Sequence, residues 1–91
     1  MTVYVLSIKR NAAKASGPHE VVYDVRTEID AQERTFEVLV ATSKIGPHSV
    51  PYTTFRDPSE LRIFRHDQRP ITDILKAVTN VYNREQAMLP A

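Results

Sequence analysis

Between Phe55 and Arg69 the chain carries Arg56, Arg62, Arg65 and Arg69, with Phe55, Phe64 and His66 among them. An arginine presents its N–H donors in a fixed planar fork, the right shape to grip a carboxylate or a phosphate. Aromatic rings beside arginine supply the apolar area that interfaces concentrate at their centres, or a platform on which bases stack. Both uses need an exposed face. The alternation Leu61-Arg62-Ile63-Phe64-Arg65, taken as extended chain, sends Leu61 and Ile63 inward and puts Arg62 and Phe64 on the outer side. Asp57, Glu60 and Asp67 interrupt the basic run, so residues 56 to 69 amount to only +1 with histidine neutral. That favours a protein partner over a nucleic acid, whose affinity rests on neutralising several phosphates. The candidate partner-binding residues are Phe55, Arg56, Arg62, Phe64, Arg65, His66 and Arg69.

Other chemistries find less support. His19, His48 and His66 are not spaced as metal ligands on a helix, and cysteine is absent, so no metal site is expected. Serines occur, but no G-x-S-x-G elbow presents one as a nucleophile. The two glycines, Gly17 and Gly46, cannot write a phosphate-binding loop or a dinucleotide fingerprint, and no cofactor is expected. Gly17-Pro18-His19-Glu20-Val21-Val22-Tyr23 and Gly46-Pro47-His48-Ser49-Val50-Pro51-Tyr52 share five of seven residues at a separation of 29. The simplest account is two loop-to-strand entries, in which glycine frees the backbone and proline sets its direction. A functional alternative pairs His19 with His48 at one end of neighbouring strands. A non-enzymatic protein is the expectation.

The elements that must position these residues centre on Thr35-Phe36-Glu37-Val38-Leu39-Val40-Ala41-Thr42. Phe36, Val38 and Val40 share one side of this stretch, and Leu39 and Ala41 share the other, as in an inner strand. Thr2–Lys9 is a first strand, with Val3 and Val5 on one side and Tyr4, Leu6 and Ile8 on the other. Glu20–Glu28 is a second, burying Val21, Tyr23 and Val25, and a short link at residues 29 to 33 makes it a hairpin with the third. Residues 11 to 18 and 43 to 51 are expected as loops, the first of them mobile. Asp57-Pro58-Ser59-Glu60 has the residues of a helix start, so a helical turn followed by a short edge strand is expected. The alternative is a short helix from Pro58 to His66.

From about Pro70 to Met88, the residues Ile71, Ile74, Leu75, Val78, Val81 and Tyr82 recur at helical spacing and form one apolar stripe. The expected fold is therefore α+β: a meander-like antiparallel sheet of three to four strands, covered on one face by a C-terminal amphipathic helix.

The 91 residues, 42% hydrophobic and 25% charged, suit one small domain spanning 1–91. The N-terminal stretch is apolar before it is basic, the reverse of a secretory signal, and nothing reaches the ~20 apolar residues of a membrane span. With no cysteine to oxidise, a cytoplasmic setting is expected. One helix can cover only one sheet face, so the other face of the first strand calls for a second copy, and a homodimer is expected. The function expected is that of a small accessory or inhibitor protein, of microbial or phage type, binding another protein. The alternative is a nucleic-acid-binding regulator using the same arginine and aromatic surface.

Overall fold

The computed structural model describes residues 2–45 and 48–88, and the side chains of these residues outside 43–50. Strands β1 (Val3–Arg10), β2 (Glu20–Ile29), β3 (Gln32–Ile45) and β4 (His48–Phe55) form an antiparallel meander in the order β1-β2-β3-β4. A 20-residue helix, α1 (Arg69–Met88), lies on one face. The fold is α+β, with the sheet ahead of the helix in the chain.

The hairpin of β2 and β3 is the centre of the sheet. Its register sets Val21 opposite Val40, Tyr23 opposite Val38 and Val25 opposite Phe36, so the apolar alternation of both strands falls on the face beneath α1. The turn is made by Asp30 and Ala31, both left-handed at φ 49° and 68°. Two such residues build the hairpin turn whose twist matches that of its strands. Asp tolerates this region, whereas Ala is held there at a cost of about 1–2 kcal/mol. Thr2 fastens the turn: its N–H donates to Asp30 Oδ1 at 2.9 Å, and its carbonyl accepts from Asp30 N–H at 3.0 Å.

Helix α1 buries Pro70, Ile74 and Val78 completely or nearly so, with Ile71, Leu75, Val81 and Tyr82 packed at the margin. All but Pro70 are the stripe residues expected from the spacing. Polar contacts also join helix to sheet: Thr79 Oγ1 lies 2.7 Å from Thr53 Oγ1, with Thr79 donating back to the Leu75 carbonyl, and Arg10 of β1 pairs with Glu85 at 3.6 Å. At the margin the core closes with three rings, Phe36, Phe55 and Phe64, whose centroids lie 5.7 to 6.5 Å apart.

Several expectations are corrected. The fourth strand is β4, not residues 61–65, and the stretch 43–51 expected as a loop instead holds the end of β3 and the start of β4; Pro51 stands in this edge strand, where a missing N–H is tolerated. Pro58–Phe64 is a 3-10 helix, the short-helix alternative, capped by Asp57 Oδ1 accepting from Ser59 N–H at 3.0 Å. Strand β1 changes phase at a bulge between Val5 and Ser7, which puts Ile8 on the side of Val3 and Val5 rather than opposite them. The stretch after β1 is anchored, because Ala12–Lys14 forms a 3-10 turn tied to β2 by Asn11 N–H donating to the Val22 carbonyl at 2.8 Å.

That turn lies over the second face of the sheet, where Val22 is fully buried. Asp24 and Glu37 stand directly opposite each other there, a like-charge pair that by itself destabilises a sheet. Lys14 lies between them, its Nζ 3.0 Å from Asp24 and 3.1 Å from Glu37, while Asn11 donates to Asp24 and Arg56 to Glu37. Part of the face expected to be bare is thus a polar network. What remains apolar and open is Tyr4 and Leu6 on β1 and Tyr52 on β4, about half exposed each.

Candidate interaction surface

A 3-10 helix has three residues per turn, so side chains three apart stack in rows. In Pro58–Phe64 and the turn after it, one row is Pro58, Leu61 and Phe64, and it runs inward to the fully buried Phe64 ring. A second row is Ser59, Arg62 and Arg65, exposed throughout. The third, Glu60, Ile63 and His66, is half-buried at its first two members. The phenylalanine anchors the segment in the core, and the same geometry turns the two arginines outward.

The seven residues expected to act together are therefore divided. Phe55 and Phe64 are core residues, 5% and 0% exposed, and the outward placement of Phe64 is corrected because the segment is not a strand. Arg56 follows Phe55 onto the second sheet face, where it pairs with Glu37 at 3.0 Å, away from the 3-10 helix row. Arg69 is exposed but engaged, since its Nε and Nη2 each lie 3.0 Å from an Asp67 carboxylate oxygen. Arg62, Arg65 and His66 remain together, with Arg65 Nε donating to His66 Nε2 at 3.1 Å. Among the described residues, Arg62 and Arg65 have no acidic partner within ion-pairing distance.

Electrostatics follow these pairings. The Asp67 carboxyl is held down at about 2, chiefly by the Arg69 side chain and then by the Arg69 backbone N–H. Asp57 is lowered by its capping bonds from Ser59. Glu60 moves the other way, raised first by burial and then by the charges of Asp57 and Glu37. In the network on the second face, Asn11 and Lys14 lower Asp24, and Lys14 and Arg56 lower Glu37.

Beside the 3-10 helix lies a cleft of about 370 Å³, lined by Arg34, Thr35 and Phe36 from the start of β3 and by Ser59, Glu60, Arg62 and Ile63. Arg34 was not among the expected site residues. It lies far from Arg62 in sequence, and only the return of the chain after β4 brings it to the same cleft. A second cleft, of about 360 Å³, separates the start of β1 from the start of α1 and is lined by Asp67, Arg69 and Asp73 among others. Among the described residues no three His, Asp or Glu side chains gather as metal ligands. The proposed pairing of His19 with His48 involves a side chain outside the described residues. The backbone register places His48 opposite Ile45, whereas the His19 carbonyl accepts from Thr42 N–H. No described helix is long and apolar enough to cross a membrane. Comparison of the chain with family models, curated proteins and solved structures finds no match.

Proposed function

We propose that this is a non-enzymatic cytoplasmic binding protein, an accessory or inhibitor protein, that docks on another protein through the exposed row of its 3-10 helix. The observation that carries this reading is the pair Arg62 and Arg65, exposed and without acidic partners on a segment pinned by the fully buried Phe64. An arginine held on an ordered backbone loses less freedom on binding than one on a mobile loop, so more of its contact energy appears as affinity. Burial of Phe55 and Phe64 also weighs against the nucleic-acid alternative, because the rings that would stack on bases lie in the core.

The buried phenol of Tyr23 offers no catalytic base. Tyr23 is raised by burial first and by the Glu85 carboxylate second, and its hydroxyl makes no hydrogen bond of good geometry. A phenol so placed stays protonated at neutral pH and cannot serve as base or nucleophile. Self-association belongs to the same proposal, through Tyr4 and Leu6 on β1, the strand at one edge of the sheet.

The test is affinity capture of the partner from the native host, followed by binding measurements on variants. Arg62→Ala and Arg65→Ala should each weaken binding at least tenfold with melting temperature nearly unchanged, as for a central interface arginine, where truncation costs about 2 kcal/mol or more. Unchanged binding by both variants would refute the assignment.

A further inference from the structure

We infer that Arg34 and Arg62 form a clamp for a carboxylate side chain in an acidic segment of the protein partner. The inference rests on the reading that this face binds a protein, and adds the chemistry of what it binds. Two guanidiniums, one from β3 and one from the 3-10 helix, line a single cleft, and neither has an acidic partner among the described residues. Two like charges lining one cleft are stabilised by an anion between them, beyond what Asp57, near enough to Arg62 to feel its charge, supplies, and a carboxylate accepts from such forks in pairs. The hydroxyls of Ser59 and Thr35 add donors on the same walls, both residues being exposed.

The rest of the lining decides which anion. The half-buried Ile63 contributes apolar surface, so the cleft suits an acidic residue with an apolar neighbour better than a chain of phosphates. Glu60 stands on the same wall, with Asp57 capping the helix beside it. A polyanion with regularly spaced charges would meet these acids, whereas one carboxylate can be placed between the arginines and clear of them. No exposed aromatic side chain lines the cleft, since Phe36 is only 3% exposed, and a base would find nothing to stack on. The volume of about 370 Å³ is at the small end of the roughly 300–1,000 Å³ typical of ligand sites, enough for one side chain and its neighbour.

The test uses the whole protein, isotopically labelled so that arginine Nε–H signals are observed, titrated at low salt with an end-blocked six-residue peptide holding one glutamate beside one leucine among glycines and serines. Separate titrations use an oligothymidylate of equal charge. The expected result is that Arg34 and Arg62 signals shift with the peptide while those of Arg84, exposed near the far end of α1, do not. Arg34→Gln and Arg62→Gln should each weaken peptide binding at least fivefold, and Arg84→Gln less than twofold. Equal shifts across all exposed arginines, or no shift at Arg34 and Arg62 at millimolar peptide, would overturn the clamp. Tighter binding of the oligothymidylate, lost in the same two variants, would overturn the carboxylate in favour of a nucleic acid. The underlying reading is tested separately with the captured partner. If Arg62→Ala and Arg65→Ala lose binding but Arg34→Gln keeps it, the clamp alone is refuted.

Discussion

Phe64→Ala is the substitution that best separates anchor from contact. The ring is fully buried, with centroids 5.7 Å from Phe36 and 6.5 Å from Phe55, so its removal leaves a cavity bounded by two other rings. Deleting a buried phenylalanine costs about 3–5 kcal/mol, the sum of lost transfer energy and the unfilled cavity. A 91-residue domain at about 0.05–0.15 kcal/mol per residue has roughly 5–13 kcal/mol in all, so the variant loses a large share of its stability. In urea, with a slope near the low end of about 1–3 kcal/mol per molar, the midpoint should fall by roughly 2–4 M. Circular dichroism across a urea gradient measures this. Phe64→Leu, which keeps most of the volume, should lose only about 1–2 kcal/mol and guards against outright unfolding of the alanine variant. If Phe64→Ala stays within about 1 kcal/mol of the parent yet loses its partner, the ring is a surface contact and the three-row reading of the 3-10 helix is wrong.

Ala31→Gly should stabilise the domain by about 0.5–1 kcal/mol, because glycine removes the left-handed penalty of the turn and gives back only part of it as unfolded-state entropy; a lower melting temperature would refute the turn geometry. Lys14→Met should destabilise by leaving Asp24 and Glu37 face to face, which a denaturation series against pH would show. Both carboxyls are held low in the folded protein, so the stability they contribute is present above the ordinary carboxylate range of about 4 and is lost as pH falls through their folded values. The gap between parent and Lys14→Met should therefore be widest near neutral pH and close in acid; a gap that does not change with pH would refute the bridging role. Sedimentation at tens of micromolar should show a dimer that Leu6→Lys converts to monomer, and a parent that is already monomeric would remove the β1 contact.

The elements read correctly from the residues were those in which one period held throughout. Val21, Tyr23 and Val25 with Phe36, Val38 and Val40 alternate without interruption, and the register confirms them as one face. In α1, Ile74 and Val78 recur at helical spacing, and both are completely buried. Misreadings arose where the period changes within a few residues. The bulge after Val5 shifts the phase of β1, and nothing in Val5-Leu6-Ser7 announces an extra residue. Pro51 reads as a strand breaker, yet in β4 it pairs with Thr42 on an edge where proline is admissible. Leu61, Ile63 and Phe64 fit two periods at once. Read at period two, they made a strand with an exposed phenylalanine; read at period three, Pro58, Leu61 and Phe64 fall into one row, which runs from the exposed Pro58 through the half-buried Leu61 to the buried Phe64. The signal was present in the sequence, together with the Asp57–Pro58 start that favours a helical turn. Arg34 had no local signal, because its place in the cleft depends on a non-local return of the chain.

Acidic pairs occupy four of the eight arginines. Arg10 meets Glu85, Arg26 meets Glu33, Arg56 meets Glu37, and Arg69 meets Asp67. Each exposed pair contributes little to stability, about 0–1 kcal/mol, but it fixes a guanidinium that could otherwise bind elsewhere. Among the described residues Arg34, Arg62, Arg65 and Arg84 are left without such partners; the first three lie on β3, on the 3-10 helix and in the turn after it, near the Phe36–Phe55–Phe64 cluster, whereas Arg84 lies near the far end of α1. The network on the second sheet face has the opposite character: Lys14 and Arg56 neutralise the acids that would repel one another, and that surface is used up in holding the sheet together. A protein of net charge +1 has no overall field to steer a partner. For the proposed docking, specificity would then come from where the unpaired charges lie, and three of the four unpaired arginines among the described residues lie at the start of β3 and on or just after the 3-10 helix.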